Sequence, residues 1–137
     1  MTRDQRGSAA LELTVLVPAL MALMALVVSG ARIWSARATV DEAAHRAART
    51  ATVTSDARAS ASRGREAGMA NLEDLSCRVS SVVLDTTVLT RPPGEAGEVT
   101  ATATCTVALG DLLLPGLPGE LTITADASSV ADRYRGR

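Results

Sequence analysis

The chain has no Phe, one Trp (Trp34), one Tyr (Tyr134) and one His (His45), and all 14 basic residues are Arg. The absence of Lys reads as base composition rather than function. Residues are 47% hydrophobic, but without aromatics that count is carried largely by Ala and Val. A soluble part built from such side chains has a thin core and needs a staple or a partner. A net charge of −1 leaves no basic surplus for nucleic acid. His45 has no cysteine or carboxylate neighbours in ligand spacing, so no metal is expected. There is no Ser/His/Asp grouping and no glycine-rich phosphate loop, so neither an enzyme nor a cofactor is expected. At 137 residues there is room for one small domain and a membrane segment.

What the chain does have is an uncharged run from Leu13 to Ala31. As a helix it is roughly 28 Å long at ~1.5 Å per residue, close to the ~30 Å of a hydrocarbon core. Pro18 removes one backbone bond and should kink it. Three readings compete. The run is a plain anchor. Or it is a secretory signal cut at Ala36-Arg37-Ala38, although it is longer than the usual ~7–15 apolar residues and Glu12 interrupts its start. Or the chain is cut after Gly7, leaving Ser8 as the new N-terminus. Only the third explains Glu12, a charge that lipid disfavours. Basic leader, Gly7, four residues, Glu12 and a long apolar helix together resemble the type IV prepilin signal. In that class the helix is retained and bundles into a filament core. A new ammonium at Ser8 and the carboxylate of Glu12 would each be costly alone and tolerable as a pair. Pairing between neighbouring subunits would also set their axial register. Arg3 and Arg6 on one side and Arg32 and Arg37 on the other leave orientation undecided by charge. The prepilin resemblance implies a cytoplasmic leader.

Beyond the span, Ile33, Val40, Ala44, Ala47 and Ala51 recur at helical spacing. Asp41 with His45 and Glu42 with Arg46 are four apart and can pair. No breaker lies between Gly30 and Val53, so the span should continue into this amphipathic stalk. Its alanine face either rests on the sheet that follows or packs against another subunit. Thr54-Ser55-Asp56 is a capping break, and Ala57 to Ala70 predicts a second helix, weakened by Gly64 and Gly68 and ended at Asn71.

From Cys77 the period changes. Cys77 to Thr90 is rich in Val, Ser and Thr, Arg91 to Gly97 predicts a turn, and Glu98 to Leu109 alternates strictly. Leu121 to Ala127 predicts a third strand. A hairpin centred on Gly94 would put residue 83 opposite Cys105, some 20 Å from Cys77. Then Cys77 lies in a loop that doubles back, or the turn is displaced, or the thiols stay apart. A Cys77–Cys105 bridge with an irregular first strand is the preferred outcome, because it would add ~2–4 kcal/mol to a small exported domain. In Gly110 to Gly119, Leu112, Leu113, Leu114 and Leu117 sit in a proline-broken loop that either plugs the core or forms a patch for a neighbour. Ser128 to Arg137 is expected to fray.

The whole chain resembles a TadE-like pseudopilin of the tight-adherence (Flp) pilus systems. The resemblance lies in Arg6-Gly7-Ser8-Ala9-Ala10-Leu11-Glu12, in Pro18 and in Ala31-Arg32-Ile33-Trp34. The Leu-Leu-Pro loop and the Ala125 to Tyr134 ending support it less. It implies Gly7 as the prepilin-peptidase cut point and Glu12 as the register residue. Major pilins of these systems often carry Tyr after the Glu and are far shorter; Leu13 stands there in this chain, which favours a minor subunit. The expected fold is α+β: leader 1–7, transmembrane helix 8–31, stalk and second helix 32–75, and a small antiparallel sheet of about three strands over 76–137. The expected role is pilus assembly. Its partners would be membrane lipid, other pilin or pseudopilin subunits, the peptidase and the assembly machinery, with the C-terminal domain extracytoplasmic on a single-pass anchor. The competing reading is a membrane-tethered binding domain with no part in pili.

Overall fold

The computed structural model describes residues 6–92, 97–112 and 116–131, and side chains from residue 12 onward. One helix, α1 (Arg6–Val53), carries the chain from the apolar run into the domain without a break, and Pro18 lies inside it. Proline removes one intrahelical hydrogen bond, which a helix of this length tolerates. Thr54 ends α1 by donating to the Thr50 carbonyl through both its amide and its hydroxyl. The Asp56 carboxylate then accepts from the Arg58 amide at 2.9 Å and caps α2 (Ala57–Leu72). This is the expected break, although α2 runs past Asn71 to Leu72.

Three antiparallel strands follow, β1 (Cys77–Asp85), β2 (Glu98–Ala108) and β3 (Glu120–Val130), in the spatial order β1-β2-β3. The fold is therefore α+β, as the sequence predicts. β1 ends at Asp85, whose carboxylate accepts from the Thr87 amide, and Thr87–Thr90 form a 3-10 turn where a longer strand was expected. Of the Arg91–Gly97 turn, residues 93–96 lie outside the described residues. A short helix, α3 (Leu109–Leu112), takes up the start of the expected proline-broken loop; Leu113 and Leu114 are not described. β3 extends to Val130 and Ala131 is buried, so Ser128, Ser129 and Val130 are ordered where fraying was expected. The rest of the tail, Tyr134 included, is outside the described residues.

Alternation along β2 divides the sheet into two faces. Val99, Ala101, Ala103, Cys105 and Val107 point inward, with Val82 from β1 and Ile123 and Ala127 from β3. The outer face is threonine-rich; Thr106 and Thr122 hydroxyls lie 3.0 Å apart and the Thr102 hydroxyl donates to Asp126. On the inner face lie the second half of α1 and the antiparallel α2. Ala36, Val40, Ala43, Ala44, Ala47, Ala48 and Ala51 of α1 are all buried there. The alanine stripe is thus spent inside the molecule, which removes it as a surface for another subunit. The core is as thin as the missing aromatics imply: the largest fully buried side chains are Val40, Val99, Cys105 and Ser60.

The glycines of α2 have a different meaning from the one their propensity suggests. Ser60, Gly64, Gly68 and Leu72 are its buried residues, four apart, on one stripe. A Cβ on Gly64 would stand 2.8 Å from the Ala47 carbonyl oxygen and 3.0 Å from the Ala51 Cβ. A Cβ on Gly68 would stand 3.0 Å from the Ala47 Cβ. The two helices touch almost backbone to backbone, and glycine's intrinsic helix cost is offset by that contact.

Candidate functional site

The candidate residues of α1 lie at its far end from the domain. The Gly7–Ser8 bond is in the first turn, where amides have no intrahelical acceptor and local opening costs least. Ser8 and Glu12 are one i, i+4 step apart along the helix backbone. Glu12 is exposed, and so are the apolar side chains that follow: Leu13 at 58%, Val15 at 72%, Met21 at 68% and Leu26 at 70%. The most apolar 18-residue window of this helix has a mean hydropathy of 2.3 and none of it is buried. In water such a surface would be strongly unfavourable; in lipid, or against other apolar helices, it is satisfied. By length and composition this one helix can cross a membrane.

From Glu12 to the first buried residue, Ala36, is roughly 36 Å along the axis at ~1.5 Å per residue. The structure therefore leaves the N-terminal group apart from the domain. It also weighs against the secretory-signal reading: Ala36-Arg37-Ala38 lies within a continuous helix, with Ala36 only 1% exposed against the core.

In the stalk both expected i, i+4 pairs form. The Arg46 Nε donates to Glu42 at 2.8 Å, and His45 stands 3.7 Å from Asp41. The hydrogen bond from Arg46 holds the Glu42 carboxyl below its ordinary value. The Thr87 amide does the same for Asp85.

Cys77 and Cys105 form a disulfide with their Cα atoms 5.5 Å apart. Two features bring them together. The register puts Ser80 opposite Cys105, three residues from the expected residue 83, so the pairing is centred ahead of Gly94. A bulge between Cys77 and Val79 then shifts the pairing, so that Cys77 faces Val107 on the inner side. Without it Cys77 would point outward. Of the sequence's alternatives, the displaced turn and the irregular first strand both occur.

Other features of the domain escaped the sequence reading. Arg65 Nε donates to the Val82 carbonyl at 3.2 Å and ties α2 to β1. A groove of about 610 Å³ runs between α1 and β3, lined by Trp34, Arg37, Ala38, Asp41 and residues 121–125. The signal for it was the single tryptophan three positions beyond the uncharged run. Among the described residues no group of three or more His, Cys, Asp or Glu could hold a metal ion.

Residues 7–49 match the family model described as TadE-like protein, which is the resemblance read from the sequence. The match lies within α1 and reaches neither the Leu-Leu-Pro loop nor the sheet. No curated protein and no solved structure matches the chain.

Proposed function

We propose, from the TadE-like match over residues 7–49, that this chain is a membrane-inserted minor pilin of the pseudopilin type, acting in assembly of a tight-adherence pilus. The observation that carries the reading is Gly7 and Glu12 at the head of an exposed apolar helix that runs on, unbroken, into a packed domain. A prepilin peptidase cuts after Gly7 on the cytoplasmic side. The Glu12 carboxylate then pairs with the amine of Ser8 on a neighbouring subunit, and lipid accepts the pair where it rejects either charge alone. The domain beyond the span stays outside the cytoplasm, where an oxidising environment sustains the Cys77–Cys105 bridge. Its role is structural, with no chemistry of its own.

Mass spectrometry of the mature wild-type protein tests the cut. The expected first residue is Ser8; Met1 or Thr39 would refute the reading. Glu12→Ala tests the register role: assembly should fall while membrane levels stay near wild type. Under the competing reading, a tethered binding domain, the substitution would affect insertion alone.

A further inference from the structure

We infer that the pole of the domain nearest the span, presented by Trp34 on α1 and Leu117 just before β3, is seated in the lipid headgroup layer, so that the domain is docked on the bilayer. The inference rests on α1 being a bilayer span, and its test separates the two.

The strand directions establish which end of the domain faces the membrane. Leu121 to Ala125 line one groove with Trp34, Arg37 and Ala38, whereas the Ser129 hydroxyl is 3.0 Å from that of Thr52. β3 therefore runs alongside α1 and begins at its span side. With Ala108 opposite Glu120 and Cys77 opposite Val107, the end of β2, the start of β1 and helix α3 lie at the same pole. α3 contacts α1, and Leu109 donates to the Gly119 carbonyl, which closes the pole beside Leu117.

Height decides the rest. The uncharged run ends at Ala31. Trp34 is three residues on, about 4.5 Å, and Ala36 five residues on, about 7.5 Å. The headgroup layer on each side is about 5–7 Å thick. No free length of helix beyond Ser35 separates the domain from the membrane, because α1 is packed from Ala36 onward. Leu117 precedes Leu121, which shares the groove with Trp34, so it lies at or below that level. Trp34 is 77% exposed and Leu117 41%. Tryptophan at this depth is the habitual interfacial residue. Charge does not supply the attraction: Arg32, Arg37 and Arg78 are set against Glu73, Asp74, Asp111 and Glu120 at this pole. Attachment is apolar and independent of anionic lipid.

The full chain in phosphatidylcholine bilayers tests this through tryptophan quenching, since Trp34 is the only native tryptophan. Four proteins are compared: wild type, and Trp34→Phe carrying Leu117→Trp, Val53→Trp or Leu20→Trp. Wild type and Leu117→Trp should show blue-shifted emission, quenched by lipid brominated near the carbonyl end of its chains, and unchanged in high salt. Leu20→Trp should be quenched by lipid brominated at mid-chain. Val53→Trp, 74% exposed at the other end of α1, should respond only to aqueous acrylamide. If Trp34 and Leu117→Trp behave like Val53→Trp while Leu20→Trp still meets lipid, the docking is refuted and the span stands. If Leu20→Trp is itself in water, the span reading fails. Protection of Leu117→Trp from both quenchers would mean a protein covers the pole, and loss of bromolipid quenching in high salt would mean charge holds it; either overturns the proposal. Because Trp34 belongs to the span helix itself, Leu117→Trp in water with Trp34 still meeting lipid also refutes the docking.

Discussion

Gly64→Ala should destabilise α2, although alanine is the better helix former. In an unconstrained helix the change would gain about 0.8–1 kcal/mol. Here the new methyl meets the Leu84 Cδ2 at 2.7 Å, the Ala47 carbonyl oxygen at 2.8 Å and the Ala51 Cβ at 3.0 Å. The leucine methyl can swing aside, but a carbonyl held in the helix ladder cannot. The helices must separate by a few tenths of an ångström, loosening the Ser60, Gly64, Gly68 and Leu72 stripe together. Overpacking of this kind costs about 1–3 kcal/mol, leaving a net loss of up to about 2 kcal/mol, or as much as a 30-fold rise in the open population. Hydrogen exchange of α2 in the oxidised, membrane-reconstituted protein reads that population locally, without interference from the helicity of the span. Gly68→Ala, whose contacts are at 3.0–3.1 Å, should come out close to neutral, and Ser62→Ala on the exposed face slightly protected. Slower exchange in Gly64→Ala than in wild type would show that α2 does not approach α1 as closely as described, and would refute the packing argument.

Removing the disulfide with Cys105→Ala should cost the domain roughly 3–4 kcal/mol, as expected for a bridge separated by 28 residues, and protease resistance of the sheet in reducing and non-reducing buffer should differ accordingly. Asp85 should titrate by NMR below an ordinary aspartate. Because its folded value is depressed, its stabilising bond to Thr87 is present above the unfolded value and lost as pH falls through the folded one; Asp85→Asn should blunt that acid dependence. Arg78→Ala breaks an exposed 3.3 Å pair with Glu120 and should change stability by less than about 1 kcal/mol, the more weakly at high salt, in urea denaturation followed by protease sensitivity.

Some properties were settled by the order of residues alone. The uncharged run, the unbroken continuation to Val53, the Asp56 cap and the alternation of β2 are local patterns, and local sterics and hydrogen bonding suffice to impose them. The Gly7–Glu12 spacing belongs with these, since it needs only a helix. The placement of the two faces did not follow from the sequence. Gly64 and Gly68 look like weak points until α1 is laid against them, because close approach is a property of two helices and not of one. The Cys77–Cys105 bond likewise hangs on a bulge and a displaced register, which depend on how β1 and β2 meet across a long connector. The groove at Trp34 and the position of Leu117 required the direction of β3 relative to α1. No periodicity encodes that direction; it is set by which arrangement buries the alanine stripe of α1 against the inner face of the sheet.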